Sequence, residues 1–193
     1  MNCSELAMGL TAAICEKNAT RGAEGKAILI PFNAIDRAGS TVVGNVISKI
    51  ARVGGKVAYE FETFGKSFDE AGATFAVGTY RNSWTHSVPL RIFVKSEDVK
   101  EFVNVFGSGA KCVVVLKNND AGIDQAVKFE AYGWDNGLVL TESAPTLAMA
   151  DGVVYPLTLA SAEGAGEGSL PKSVFSNDIL TTEKMLQDLT QTI

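Results

Sequence analysis

The sequence is poor in the residues from which most active sites are built. It contains one histidine, His86, and three cysteines, Cys3, Cys15 and Cys112, among 193 residues. The histidine has no second ligand at short spacing, and an odd number of scattered cysteines favours free thiols in a reducing compartment over a disulfide framework. We therefore predict no catalytic residue, no cofactor and no metal site, and expect a protein that is not an enzyme.

Long apolar runs and basic clusters are absent as well. No segment approaches the roughly 20 consecutive apolar residues of a membrane-spanning helix, and Met1 is followed by Asn2, Cys3 and Ser4 rather than by the pattern of a signal peptide. The net charge of −5 argues against binding to a phosphate backbone. We expect synthesis in a cytoplasm, with no membrane partner.

What the sequence does contain is many turns between alternating apolar runs. Nineteen glycines fall mostly between the apolar segments, which is typical of a β-rich fold. Alternation and turn residues predict strands over 26–32, 42–50, 55–64, 84–94, 111–117, 127–134, 138–142 and 153–159. His86 falls within the fourth of these, where apolar neighbours favour a packed or interfacial histidine. Asp135-Asn136-Gly137 is a hairpin signal between the sixth and the seventh.

One helix is predicted within this series of strands. Ser96 is a suitable cap, and Glu97 and Asp98 suit the positive end of the helix dipole. Spacings of i, i+3, i+4 and i+7 place four apolar residues on one face: Val99, Phe102, Val103 and Phe106. The predicted fold class is mainly β, an antiparallel β-sandwich or barrel with one flanking α-helix, an extended loop and terminal arms.

Residues 65–83 allow two interpretations. Glycines punctuate this stretch around Phe68, Phe75 and Tyr80. The first interpretation is a long exposed loop whose aromatic residues contact a partner surface. The second is that Thr74–Tyr80 forms a further core strand.

The tail differs in composition from the body. Ser161–Ser169 is typical of a flexible acidic linker, and Thr181 or Thr182 can cap a short helix beyond it. We divide the chain into an N-terminal arm (1–25), a β-sandwich (26–160) and a flexible C-terminal arm (161–193). This division predicts that truncation after Ala160 leaves a folded domain.

The order of these elements resembles the tail tube protein, or major tail protein, of long-tailed bacteriophages over roughly residues 20–160. Related folds are the tube subunits of contractile injection systems and of type VI secretion. The most telling stretches are Ala131–Leu138 and Asp151–Leu159, which look like the late hairpin and the closing strand of phage virion proteins.

This resemblance implies a homo-oligomeric ring, usually a hexamer, that stacks into a tube and conducts DNA during genome ejection without binding it specifically. Other tail proteins are the further partners, and the location is the virion tail, assembled in the host cytoplasm. Stacking would use the 65–83 loop and the C-terminal arm. The candidate inter-subunit contacts are Phe68, Phe75, Tyr80, Phe175, Leu186 and Leu189.

Two alternatives remain open. One is a different virion structural protein, such as a capsid decoration or head–tail joining protein. The other is a carbohydrate-binding β-sandwich that uses Trp84, Trp134 or Tyr132 as stacking platforms for sugar rings.

Overall fold

The computed structural model describes residues 22–63, 67–68, 70–79, 81–122, 125–145 and 152–191. Most of the predicted N-terminal arm, with Cys3 and Cys15, lies outside these residues, as does Tyr80. The strands are β1 (Ala23–Pro31), β2 (Ile35–Val43), β3 (Val46–Arg52), β4 (Tyr59–Glu62), β5 (Gly72–Ala76), β6 (Ser83–Ile92), β7 (Cys112–Asn118), β8 (Phe129–Tyr132), β9 (Leu138–Ser143), β10 (Tyr155–Ser161) and β11 (Lys172–Val174). The α-helices are α1 (Glu97–Gly107) and α2 (Ile179–Thr190), and neither is long and apolar enough to cross a membrane.

Strand β7 is the centre of the fold because it joins two groups of strands. One edge of β7 pairs with β1, and the other pairs with β8 and, at Cys112, with Leu138 of β9. The strand order is β4-β1-β7-β8-β11-β3-β2 in one group and β9-β10-β6-β5 in the other. Nine of these ten pairings are antiparallel and one, between β11 and β3, is parallel. The mainly β fold with a flanking α-helix, which the sequence predicts, is confirmed.

Two hydrophobic cores lie on opposite faces of β7. Alternate residues of a strand point to opposite sides, so Cys112 and Val114 enter one core while Val113 and Val115 enter the other. The first core lies between β1 and β7 on one side and β6 and β10 on the other. The second core lies between the same strands and α2. A continuous apolar run in β7 is thus explained by burial on both faces.

Helix α1 forms as predicted. The Ser96 hydroxyl accepts a hydrogen bond from the Val99 N–H at 3.1 Å, which caps the helix. Its apolar face reaches the first core, where Phe102 stacks on Phe61 with ring centroids 6.2 Å apart and meets Phe106 edge to face at 5.1 Å. The helix therefore extends the first core with a row of aromatic rings.

Two predicted strand arrangements are wrong. The single strand expected over 42–50 is the end of one strand and the start of the next, because Gly44 adopts a φ of +60° and turns β2 into β3. The hairpin expected at 135–137 is instead a turn between two strand groups, which we call the corner (residues 133–137). Strand β8 pairs with β7 and β11, whereas β9 pairs mainly with β10. The Gly137 N–H donates to the Gly133 carbonyl at 2.9 Å across this corner.

The C-terminal residues are part of the body rather than a flexible arm. Strand β11 is inserted between β3 and β8, and α2 buries Leu186 and Leu189, which are 2% and 5% exposed. Asp178, rather than Thr181 or Thr182, caps α2 by accepting the Thr181 N–H at 2.8 Å. The prediction of a flexible arm over the described residues 161–191 is wrong because this segment completes the sheet and closes the second core.

Candidate assembly surface

The six predicted inter-subunit contacts do not lie on one surface. Phe68 is 2% exposed and belongs to the first core, and Leu186 and Leu189 belong to the second. These three side chains are buried within their own chain, which corrects their interpretation as exposed contacts. Phe175 is half-buried, Tyr80 lies outside the described residues, and Phe75 is 49% exposed.

Phe75 lies on β5, the last strand of its group. Strand β5 pairs with β6 from Gly72↔Ser87 to Ala76↔Ser83, and in the described part of the chain its other edge has no strand beside it. The Phe75 ring packs edge to face on Trp84, with centroids 5.2 Å apart. Val77, just beyond the strand, is 81% exposed. Gly72–Ala76 contains neither a charged residue nor a proline, and these are two of the devices by which an edge strand avoids pairing with another chain.

The edge of β4 shows such devices. Glu60 and Glu62 alternate along this four-residue strand, and both carboxylates form ion pairs with Lys26 of the neighbouring strand. Charged side chains and a short length both oppose the addition of a further strand. Among the described residues, the β4 edge is therefore protected by charged side chains and the β5 edge is not.

The C-terminal end of β2 is a second open edge, since no described strand other than β3 lies beside it. Its first half is irregular, because Asp36 accepts the N–H groups of Ala38 and Gly39 and the register with β3 shifts there. Its last residues pair regularly, with Val42 and Val43 38% and 74% exposed. Sequence reasoning missed these valines and Val77, although the turn at Gly44-Asn45 was a signal for a hairpin tip.

His86 is enclosed by the corner and the tail segment. It is 1% exposed, its Nδ1 accepts the Gly133 N–H at 3.1 Å, and its Nε2 lies 3.0 Å from the Ser169 carbonyl oxygen. Because Nδ1 must accept, the proton sits on Nε2, which donates to Ser169, and the ring is neutral. Burial lowers the pKa of His86. The histidine is therefore packed in the interior, in agreement with the packed or interfacial histidine expected from the sequence.

Glu167 fastens the same corner. The side chain is 1% exposed, and its carboxylate accepts the N–H groups of Asp135 at 2.7 Å and of Asn136 at 2.9 Å. Its backbone exchanges two hydrogen bonds with Trp84. Burial raises the pKa of Glu167 above its ordinary value, although the two N–H groups favour the charged form. This side chain therefore ties the tail segment to the corner between the two strand groups.

The residues proposed as sugar platforms are not available for stacking. Trp134 and Tyr132 are 4% and 6% exposed, and the Arg37 guanidinium covers the Trp134 ring at 4.3 Å. Trp84 is half-buried beneath Phe75. A sugar ring needs an exposed aromatic face to stack on. None of the three residues on which the carbohydrate-binding interpretation depends has such a face.

Comparison with known proteins adds no relative. No protein-family model, no curated protein and no solved structure matches this chain. In the described ranges, no group of three or more histidine, cysteine, aspartate or glutamate side chains is placed to hold a metal ion.

The buried His86 makes a pH-dependent contribution to stability. Its folded pKa lies below the ordinary value of about 6.5 for histidine. The unfolded chain therefore binds a proton that the folded chain does not, and the free energy of unfolding should fall as the pH is lowered through 6.5. The slope contributed by one such group is at most about 1.4 kcal/mol per pH unit.

The matched variant for this measurement is His86→Gln, because His86 is the single histidine of the chain. Urea unfolding at several pH values between 7 and 5 gives the two slopes. Glu167, with its raised pKa, acts in the opposite direction in both proteins, so the difference between the slopes isolates the histidine. Equal slopes in the two proteins would show that His86 is protonated as easily in the folded state as in the unfolded state.

Proposed function

We propose that this protein is a structural subunit of a phage or phage-like tail tube that assembles through the edges of its sheet. The observation that carries this proposal is the unprotected β5 edge, with Phe75 and Val77 exposed and no charge along Gly72–Ala76. An open apolar edge is an aggregation hazard unless another chain covers it. A position of α1 between β6 and β7 agrees with the element order on which the tail tube resemblance is based.

The two open edges differ from each other, and this favours a head-to-tail arrangement. Strand β5 ends one strand group and β2 ends the other, so pairing β5 of one copy with the Thr41–Val43 end of β2 in the next leaves a free edge at each end of the pair. Such a heterologous contact continues until a ring closes. The net charge of −5 per chain suits a tube through which DNA passes without binding.

The first test is a charge at the β5 edge. Purified wild-type protein is expected to form rings or tubes in negative-stain electron microscopy and to show concentration-dependent mass in light scattering. Val77→Lys is expected to remain monomeric, because a paired edge would have to bury the ammonium group. The control is Leu180→Lys on α2, since Leu180 is 77% exposed and Val77 is 81% exposed. A wild-type protein that stays monomeric over a range of salt concentrations, and when seeded, contradicts the proposal.

The second test distinguishes head-to-tail pairing from pairing of two identical β5 edges. Val43→Lys blocks the β2 end and leaves β5 intact. Under head-to-tail pairing each single variant is monomeric, while a mixture of Val43→Lys and Val77→Lys stops at a complex of two chains. Under β5–β5 pairing, Val43→Lys alone forms the same dimer as the wild type. Rings that close but do not stack would instead favour a head–tail joining protein.

A further inference from the structure

The corner contains the single Asn-Gly dipeptide of the chain, Asn136-Gly137. Gly137 adopts a φ of +79°, a conformation that favours glycine, and a Cβ atom there would lie 2.9 Å from the Phe32 ring. The fold therefore requires glycine at this position. Because glycine has no side chain to shield its backbone nitrogen, the asparagine before it is exposed to a particular chemical reaction.

This reaction is deamidation, which needs no enzyme. The backbone nitrogen of the glycine attacks the asparagine Cγ, so that the N–Cγ bond forms, the Cγ–Nδ2 bond breaks, and ammonia leaves with the proton of the glycine N–H. The product is a cyclic succinimide. A water molecule then opens the ring and leaves aspartate or isoaspartate in place of the asparagine. The reaction requires an amide side chain that can turn towards the glycine and a glycine nitrogen that is available for attack.

The folded corner withholds both of these groups. The Asn136 side-chain amide donates to the Gly166 carbonyl at 2.9 Å, which fixes its direction. Gly137 is buried, and its N–H donates to the Gly133 carbonyl at 2.9 Å. The Glu167 carboxylate accepts the Asn136 N–H at 2.9 Å and so holds the backbone of the dipeptide as well. Attack on Cγ therefore requires the corner to open first.

The products of deamidation do not fit the closed corner. An aspartate at position 136 places an oxygen, instead of an N–H donor, against the Gly166 carbonyl oxygen. It also adds a negative charge beside the Glu167 carboxylate, which is 1% exposed and bound to the backbone of the same residue. An isoaspartate lengthens the backbone by a methylene group next to Gly137, where even a Cβ atom has no room. Either product therefore opposes closure.

We propose that Asn136 is a site of spontaneous deamidation that the closed corner protects, and that its conversion releases residues 166–167 from the corner. The rate of conversion then measures how often the corner opens. Conversion acts in one direction, because the product cannot regain the amide donor. Every contact in this argument lies within one chain, so the inference does not depend on the proposed assembly through β5.

The first test compares rates of conversion. The wild-type protein is incubated at mildly alkaline pH, both folded and unfolded in urea, and peptide mapping by mass spectrometry follows the conversion of Asn136. We expect conversion to be many-fold slower in the folded protein. Glu167→Gln removes the charge that strengthens the hydrogen bonds to the corner, and is expected to raise the rate under native conditions several-fold.

The matched control is Glu163→Gln, the same change at an exposed glutamate of the same segment, which is expected to keep the wild-type rate. Circular dichroism establishes that both variants fold. Equal rates in the folded and the unfolded wild type would overturn the proposed protection, as would equal rates in the two folded variants. Should Glu167→Gln fail to fold, the ratio between the folded and the unfolded wild type decides alone.

The second test examines the product through Asn136→Asp, with Asn82→Asp as the matched change at an exposed asparagine. A glutamate-specific protease cleaves after Glu167 only when this buried residue has left the corner. We expect cleavage at Glu167 to be several-fold faster in Asn136→Asp than in Asn82→Asp, with cleavage at the exposed Glu163 equal in the two variants. Equal cleavage at Glu167 would show that an acidic residue fits the closed corner and would overturn the proposed release.

Discussion

Removal of the residues after Ala160 is expected to unfold the protein. Strand β11 is the described strand that joins β3 to β8, and α2 covers the second core. Without this segment the β2–β3 hairpin loses its only described strand neighbour, and the apolar face formed by Val115 and Phe129 opens to water. The division of the chain read from its sequence predicts the opposite result, a stable truncated domain.

The expected size of this effect is close to the whole stability of a domain. Val174, Leu186 and Leu189 are each at least 95% buried, and complete burial of such side chains contributes about 1.5–3 kcal/mol each. Their loss therefore removes roughly 5–9 kcal/mol, while small domains are stable by about 5–15 kcal/mol. The hydrogen bond from the Arg52 guanidinium to the Leu189 carbonyl and the ion pair between Lys117 and Glu183 are lost as well.

Circular dichroism and thermal unfolding measure this directly. The matched control is a chain that ends at Gln191, which keeps β11 and α2. A truncated chain that retains a cooperative transition near that of the control would show that 161–191 is dispensable for folding and would restore the interpretation as an arm.

Phe68→Ser is expected to destabilise the protein severely, whereas Phe75→Ser is expected to be mild. Phe68 is 2% exposed and meets Phe61 edge to face, with centroids 6.2 Å apart. Truncation of a buried phenylalanine costs about 3–5 kcal/mol, and a serine hydroxyl without a partner adds to that cost. Phe75 is half exposed and loses mainly its contact with Trp84, a loss of about 1 kcal/mol.

Calorimetry or dye-monitored melting separates the two variants. For a chain of this size about 4 kcal/mol corresponds to a Tm lower by roughly 10 °C, against a few degrees for Phe75→Ser. If the proposed function is correct, the mild variant is the one that impairs assembly. Similar losses of Tm in both variants would contradict the placement of Phe75 on an open edge.

Elements with a complete local pattern were predictable from the sequence. Helix α1 carries its own cap and a full apolar stripe, and β7 is a continuous apolar run, so both need no distant information. The tail needed such information. Strand β11 has only three residues, too few for a periodic pattern, and its partners lie far away in the chain.

Composition misled the prediction at Glu167. A glutamate among glycines and serines is typical of a solvated linker, yet this one is 1% exposed because two backbone N–H groups of the corner satisfy its carboxylate. The corner exists only after β8 and β9 have joined different partners, so no local pattern around residue 167 indicates the contact.

The candidate surface was predicted in part. The sequence indicates that aromatic residues of 65–83 are unusual, but an apolar residue between glycines is equally compatible with a core and with a partner contact. The fold resolves the two rings differently, with Phe68 inside and Phe75 at an edge. Val77 continues the alternation from Phe75, and that continuation was the signal for an exposed apolar edge.

The insertion of β11 between β3 and β8 also determines when the sheet can be completed during translation. Asn45, in the turn just before β3, donates a hydrogen bond to the carbonyl of Pro171, 126 residues later in the chain. During translation the β2–β3 hairpin therefore leaves the ribosome long before the strand that holds it, and the position of β11 beside β3 stays empty until Lys172–Val174 has been made. The β2 edge proposed for assembly thus gains its support in the sheet only after β11 has been made. Nascent chains on one messenger RNA that have not yet reached β11 therefore lack a supported β2 edge, and in the proposed assembly they cannot pair head to tail with one another.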